Sequence, residues 1–105
     1  MSASKTHDWV VVFRDDPAML DHRRKYGQQH LEYLAANCDR IKIAGGLRHE
    51  VETPFVGGVW AVVADARSEV EKLVKDDPYF HPIHRRFEIF FWGIAHSVFP
   101  EMRNA

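Results

Sequence analysis

The chain has 105 residues, of which 46% are hydrophobic and 28% charged, with a single cysteine and a net charge of −1. This length and composition are typical of one globular domain, and the near-neutral charge excludes an overall basic field that would favour nucleic acid or an anionic membrane. The single Cys38 excludes an intrachain disulfide, and its helical pattern predicts a small buried side chain.

The polar N-terminus, residues 1–8, is expected to be flexible and lacks the apolar segment of a secretory signal. No run approaches the roughly 18 apolar residues that cross a bilayer. We therefore expect a cytoplasmic protein.

The first strand and the first helix follow this segment. Residues 9–14 are β-branched and aromatic without clean alternation, which predicts a strand buried on both faces. Asp16 and Pro17 are typical of a helix start, and the helix should span about 18–37. Its apolar stripe is predicted at Leu20, Gly27, Leu31, Leu34 and Cys38. His30 lies at the edge of this stripe, where a side chain can face a cleft.

The remaining elements alternate strand, strand, helix and strand. Residues 40–44 predict the second strand, with a bulge or bend at Gly45-Gly46. The third strand is predicted at 56–64, where Gly57-Gly58 permits a bulge or the close approach of another chain. A helix over 67–76, capped by Asp65 or Ser68, and a strand over 86–94 complete the domain, and the tail from 95 is unassigned.

The segment between the second helix and the last strand carries an acid on a corner. Pro78 cannot continue a helix and disfavours the helical conformation at Asp77, so the helix should end near Asp76. A carboxylate fixed there can orient a histidine from another element, and His30 is the candidate partner. The ordinary role of such an acid is to bond nearby backbone amides.

The order βαββαβ predicts an α+β fold of the ferredoxin-like type, a four-stranded antiparallel sheet with two helices on one face. Bulky apolar side chains nevertheless alternate onto both faces of the strands, so we expect a homodimer packed sheet to sheet. The alternative is a monomer with an apolar trough. In the last strand, Phe90, Trp92 and Ile94 are predicted on one face and Phe87, Ile89 and Phe91 on the other. Trp60 and Trp92 are expected in the dimer core.

Three segments of the chain resemble the YciI-like proteins of the dimeric α+β barrel superfamily, over roughly residues 9–94. They are His30-Leu31-Glu32-Tyr33-Leu34, Ile43-Ala44-Gly45-Gly46 and Lys75-Asp76-Asp77-Pro78-Tyr79. The resemblance implies a fold that dimerises through its sheet and a His–Asp pair that maps onto His30 and Asp77. The family often carries an arginine one turn before the histidine, where this chain has Gly27. Arg23 or Arg24, a turn further back, is the candidate substitute.

The candidate pair suits general base catalysis, because a carboxylate on one imidazole nitrogen fixes the tautomer that leaves the other nitrogen basic. Arg23 or a backbone donor near Gly45 would stabilise an oxyanion. Walls for an aromatic substrate are predicted from Tyr26, Tyr79 and Trp92.

The candidate pair together with the family resemblance implies a cofactor-independent isomerase, or a lyase of the dehydrochlorinase type, acting on a small aromatic or lactone-like metabolite. Two alternatives stay open at this point. One is a binding or regulatory module that uses the same cleft without chemistry, and the other is a monooxygenase-like relative.

A metal site at His81 and His84 is not expected. Pro82 between them disturbs the helical geometry that would aim both rings at one ion, and a third ligand such as His49 or Asp77 would be needed. Arg85-Arg86 is predicted to be a solvated strand start.

Overall fold

A four-stranded antiparallel sheet organises residues 6–100, which the structure, a computed structural model, describes. The elements are β1 (His7–Asp15), α1 (Met19–Ala36), β2 (Ile41–Leu47), β3 (Gly57–Ala64), α2 (Arg67–Asp76) and β4 (Arg85–Phe91). The strands lie in the order β2-β3-β1-β4, and each neighbouring pair is antiparallel. The predicted ferredoxin-like βαββαβ arrangement is confirmed.

The core lies between the helices and one face of the sheet. In β1, Trp9, Val11 and Phe13 are buried while Val10 and Val12 are only partly so. The prediction of a strand buried on both faces is therefore wrong for the single chain, because alternate side chains point to opposite faces and helices cover only one. Trp60, predicted for a dimer core, is buried on the covered face. The core also contains Ile41, Val62, Ala64, Val70, Leu73, Val74 and Ile89.

The inner face of α1 differs from the predicted stripe. Leu31 is 61% exposed and Cys38 is also exposed, whereas Met19 is fully buried and Tyr33 packs against the core. Leu34 of the predicted stripe does pack against the core, but the side of α1 that faces the sheet also carries polar groups, Arg23 and His30 among them. The apolar pattern alone therefore does not show which side of the helix faces the sheet.

Gly46 of β2 and Gly57 of β3 allow close packing and do not mark a bulge. The register shift in β2 lies between Ile41 and Ile43 and not at Gly45-Gly46. A Cβ on Gly46 would stand 2.6 Å from the ring of Phe55, so this glycine makes room for an aromatic side chain. A Cβ on Gly57 would stand 2.0 Å from the carbonyl oxygen of Phe13. The close neighbour predicted for Gly57-Gly58 thus lies in the same chain: β1 for Gly57, and for Gly58 the carbonyl oxygen of Gly45 in β2, 2.9 Å from a Cβ.

Several element ends differ from the predictions. β1 begins at His7, inside the predicted flexible segment, and β4 ends at Phe91 instead of 94. The N-cap of α2 is Ala66, and neither Asp65 nor Ser68 caps it through its side chain; Glu69 instead accepts a hydrogen bond from the backbone N–H of Asp65. Residues 1–5 of the N-terminal segment and 101–105 of the tail lie outside the described residues.

The second face of the sheet is open in the single chain. We call it the open sheet face; strand register places Val10, Val12, Ile43, Val59, Ala61 and Phe90 on it. Ile43 is 57% exposed and Phe90 46% exposed. Large apolar side chains thus remain uncovered on a face that the helices do not reach.

Candidate functional site

A cavity of about 230 Å³ opens between α1 and the covered face of the sheet. Its walls combine aromatic rings, glycine backbone and basic side chains. The lining includes Arg23, His30, Phe55, Trp60, Tyr79 and Arg85. Such a mixture of apolar walls and few polar groups is typical of small-molecule sites.

His30 and Asp77 meet at one wall of this cavity. His30 lies in the second half of α1, and Asp77 is the C-cap of α2, in the extended conformation that the following proline requires. The distance from His30 Nδ1 to Asp77 Oδ1 is 2.8 Å, and their side chains are 12% and 2% exposed. Because an ionised carboxylate can only accept, Nδ1 carries the proton, and in the neutral ring Nε2 keeps its lone pair.

Tyr79 covers one face of the His30 ring. The two ring centroids are 3.7 Å apart and the planes are inclined by only 8°. The backbone N–H of Tyr79 donates to Asp77 Oδ1 at 3.0 Å, so the same oxygen receives both this N–H and His30 Nδ1. A Cβ at Gly27 would lie 3.4 Å from the Tyr79 hydroxyl, so the glycine lets that ring approach α1.

Two arginines share one buried carboxylate beside the cavity. Arg85 donates from Nε and Nη2 to the two oxygens of Asp15, at 2.8 and 3.0 Å. Arg23 Nη2 donates to the carbonyl oxygen of Gly57 at 2.7 Å and lies 3.3 Å from Asp15 Oδ2. Two guanidinium charges therefore face one carboxylate here, and Asp77, behind His30, is not a lining residue. The site offers positive potential to a ligand.

Four of the predicted site residues line the cavity: Arg23, His30, Gly45 and Tyr79. Asp77 touches it only through His30. The other two predicted residues, Tyr26 and Trp92, do not line the cavity. Tyr26 packs beside His22, with 4.6 Å between the ring centroids. Trp92 follows the far end of β4, seven residues and about 23 Å from Arg85 along the strand direction.

Three lining residues were not predicted from the sequence: Arg85, Phe55 and Trp60. Arg85 was predicted to be solvated but is 4% exposed. Strand alternation could have found it, because residue 85 shares a face with Phe87 and Ile89 and pairs with Asp15 across the ladder. Phe55 lies in the connection between β2 and β3, where the sequence has no periodic pattern that would indicate the direction of a side chain.

A cluster of histidines lies next to the site, on the segment after Asp77. His81 Nδ1 accepts the backbone N–H groups of Ile83 and His84, each at 3.1 Å, and His84 Nδ1 donates to Asp16 Oδ2 at 2.9 Å. Desolvation, followed by the charges of His84 and His22, lowers the pKa of His81. Among residues 6–100, no three His, Cys, Asp or Glu side chains are grouped so as to hold a metal ion.

The profile of the YCII-related domain matches residues 8–92. The chain belongs to the YCII-related domain family. The resemblance to YciI-like proteins is thereby confirmed, and the match covers all the strands and helices described above except the first residue of β1.

One solved structure with the same fold is 5-chloro-2-hydroxyhydroquinone dehydrochlorinase from Burkholderia phenoliruptrix AC1100, in complex with 2,5-dihydroxybenzoquinone. The two chains are 21% identical with a TM-score of 0.74, over 86% of this chain and 97% of that one. No curated protein matches the chain. Within residues 6–100, no helix of this YCII-related domain has the length and apolarity to cross a bilayer, and the cytoplasmic location stays a prediction.

Proposed function

We propose that this YCII-related domain is a cofactor-independent enzyme that transfers a proton on a small ring compound with acidic hydroxyl groups. The observation that carries the proposal is the 2.8 Å contact between His30 and Asp77 at the cavity wall. A base held in one tautomer by a buried carboxylate is the arrangement that general base catalysis needs. The reaction class is supported by the solved structure with the same fold, which is named as a dehydrochlorinase of a hydroxylated ring.

In the proposed mechanism His30 Nε2 removes a proton from a hydroxyl or an acidic carbon of the substrate. The electron pair of the broken bond moves into the ring, and the imidazolium that forms is stabilised by Asp77. In a lyase of the dehydrochlorinase type, the imidazolium returns the proton to the ring carbon that carries chlorine. Loss of a second hydroxyl proton to His30 then moves an electron pair into the ring, and chloride leaves with the electron pair of its carbon bond, so that HCl is lost in total. In an isomerase, the imidazolium returns the proton to another carbon.

Arg23 and Arg85 would stabilise the anion that the proton transfer creates. Arg23 Nε is buried and has no hydrogen-bond partner among the described residues, and its guanidinium lies 5.2 Å from the Tyr79 ring centroid. A buried donor without an acceptor costs about 1–3 kcal/mol, which an oxyanion could recover if the side chain turned toward it. Fixed positive groups in a site that excludes water are effective at this task.

The test is a single change at the base. His30→Gln should abolish chloride release from 5-chloro-2-hydroxyhydroquinone, because glutamine has no basic nitrogen, and it should leave the unfolding midpoint within a few degrees. Gln29→Ala, at the neighbouring exposed position of α1, is the matched control and should retain wild-type rates. Full turnover in His30→Gln would refute the proposal.

Binding separates the enzyme from a module without chemistry. The wild type should bind 2,5-dihydroxybenzoquinone in calorimetric titration, and Arg23→Gln should weaken that binding. Binding by the wild type without turnover of any chlorinated or lactone-like ring substrate would contradict the enzyme and support a binding module.

We also propose a homodimer formed through the open sheet face. The support is physical: Ile43 and Phe90 are about half exposed on a face that no helix or strand within residues 6–100 covers. Burial of such a face against its own copy gives a closed, twofold assembly.

A further inference from the structure

The helix α1 contacts the Asp77-Pro78-Tyr79 corner a second time, through His22. His22 Nε2 lies 2.9 Å from the carbonyl oxygen of Pro78. Because a carbonyl only accepts, Nε2 carries the proton and donates. His22 and His30 are eight residues apart, about 12 Å along the helix axis. The two histidines of α1 therefore bind adjacent residues of the corner.

The hydrogen bond of His22 acts on the peptide group that joins Pro78 to Tyr79. The carbonyl of this group accepts from His22, and its N–H, on Tyr79, donates to Asp77 Oδ1. Both ends of one peptide plane are thus fixed, one by α1 and one by the acid. A hydrogen bond to the carbonyl also polarises the N–H and strengthens its bond to the carboxylate.

The orientation of this peptide plane reaches His30 by two routes. It places the N–H that shares Asp77 Oδ1 with His30 Nδ1. It also sets the start of the Tyr79 side chain, whose ring stacks on His30 at 3.7 Å. Rotation of the plane would therefore weaken the carboxylate contact and the stacking contact together.

His22 itself is held on two sides. Its ring lies 4.6 Å from that of Tyr26 and meets the His81 ring edge-on at 5.2 Å. His81 is fixed in turn by the two backbone N–H groups that it accepts. The donor of the Pro78 contact is therefore on a side chain with little freedom to turn away.

We propose that His22 is a positioning residue that fixes the Pro78–Tyr79 peptide and, through it, the tautomer and orientation of His30. Its effect on rate rests on the proposed function, in which His30 is the base. Its effect on the His30 ring does not, since that effect is a property of the resting protein.

The experiment compares His22→Leu, which removes the donor, with His22→Gln, whose amide nitrogen takes the position of Nε2. The tautomer of His30 is read from its ring ¹⁵N chemical shifts. We expect the Nδ1–H form in the wild type and in His22→Gln, and a mixture of both tautomers in His22→Leu. His49→Ala, an exposed loop histidine, is the matched control and should not change the His30 signals.

Kinetics supply the second readout. His22→Leu should lower kcat for chloride release from 5-chloro-2-hydroxyhydroquinone by on the order of tenfold to a hundredfold with little change in KM, because misplacement of a catalytic group costs that much. His22→Gln should recover most of the rate. Should His22→Leu fail to fold, His22→Asn, whose amide is too short to reach Pro78, replaces it.

The outcomes separate the two proposals. An unchanged His30 tautomer in folded His22→Leu, or a His22→Gln variant no better than His22→Leu, would overturn the positioning role. Absence of wild-type turnover would remove the proposed function alone, and the ¹⁵N shifts would still decide whether His22 orients His30.

Discussion

At the scale of single residues, two ion pairs of this domain have opposite surroundings. Asp15 and Arg85 are almost completely buried, with side chains 1% and 3% exposed, and their two hydrogen bonds are bidentate. Arg14 and Glu88 form a pair at 3.7 Å with side chains 66% and 58% exposed. A buried pair that loses one partner leaves an uncompensated charge, whereas an exposed charge is solvated by water.

Arg85→Met should therefore lower the free energy of unfolding by roughly 3 kcal/mol, near the lower end of the range for broken buried pairs because Arg23 still lies 3.3 Å from Asp15. Arg14→Met is the matched control and should cost less than about 1 kcal/mol. Urea unfolding of both variants measures the difference. Equal losses would show that the burial of Asp15 does not govern the stability of the pair.

His81 is a second residue whose surroundings lead to a prediction, which concerns the pH dependence of stability. Its pKa is lowered, by desolvation first and then by His84 and His22, against a small opposite effect of Asp16. A proton therefore binds the unfolded chain more readily than the folded one. The stability that the neutral ring contributes is present above its ordinary pKa of about 6.5 and is lost as the pH falls through the lowered folded value.

In His81→Asn the side-chain oxygen can accept the same two backbone N–H groups without titrating. We expect the fall in the thermal unfolding midpoint between pH 7 and pH 5 to be smaller in this variant than in the wild type. His49→Asn removes an exposed histidine and should leave that fall unchanged. A steeper fall in His81→Asn would contradict the assignment.

At the scale of elements, the sequence predicted the order of strands and helices, and both ends of α2, because its period of buried valines and leucine is strong. It did not predict which side of α1 faces the sheet. Apolar periodicity finds a buried face only where burial is apolar, and this helix turns Arg23, His30 and Tyr33 inward. The corner at Asp77 was predictable from Pro78, since that constraint is local.

The prediction at the scale of elements concerns a hydrogen bond between the two helices. The hydroxyl of Tyr33 on α1 donates to the carbonyl oxygen of Leu73 on α2 at 2.6 Å. Desolvation, followed by the charges of Asp76 and Asp77, raises the pKa of Tyr33 to about 12. The stability from this protonated hydroxyl is present below the ordinary tyrosine pKa of about 10 and is lost as the pH rises through the folded value.

Tyr33→Phe should lower the free energy of unfolding by about 1 kcal/mol at pH 7, because the Leu73 carbonyl loses its side-chain donor. Alkaline titration of tyrosinate absorbance should show one group titrating last in the wild type, and that step should be missing in the variant. Tyr26→Phe is the control and should leave the late step in place.

At the scale of the whole molecule, the open sheet face governs the predicted assembly. Replacement of Ile43 and Phe90 by lysine should convert the dimer to monomers in sedimentation equilibrium, since charges at the centre of an apolar interface are costly to bury. Val51→Lys, on the exposed loop after β2, is the control and should leave the mass unchanged. A monomeric wild type would contradict the dimer.

The candidate site could be predicted only where one chain segment fixes a residue locally. His30 and Asp77 were paired from a helix position, a proline and a family resemblance, and the distance of 2.8 Å agrees with that pairing. Arg85 and Phe55 depend on sheet register and on an irregular connection, which short-range patterns do not encode. The position of Trp92 outside this cavity depends in the same way on where β4 pairs with β1.

Phe55 lines the cavity, yet it lies on a connection that takes no part in the contact between His30 and Asp77. Its ring occupies the space above Gly46, between the guanidinium groups of Arg48 at 4.1 Å and Arg23 at 4.7 Å from its centroid. Exchange of this one ring on a surface connection would resize the chamber while His30 and Asp77 stay where they are. Such a separation allows variation of a loop to change which ligands fit without moving the residues on the rigid elements.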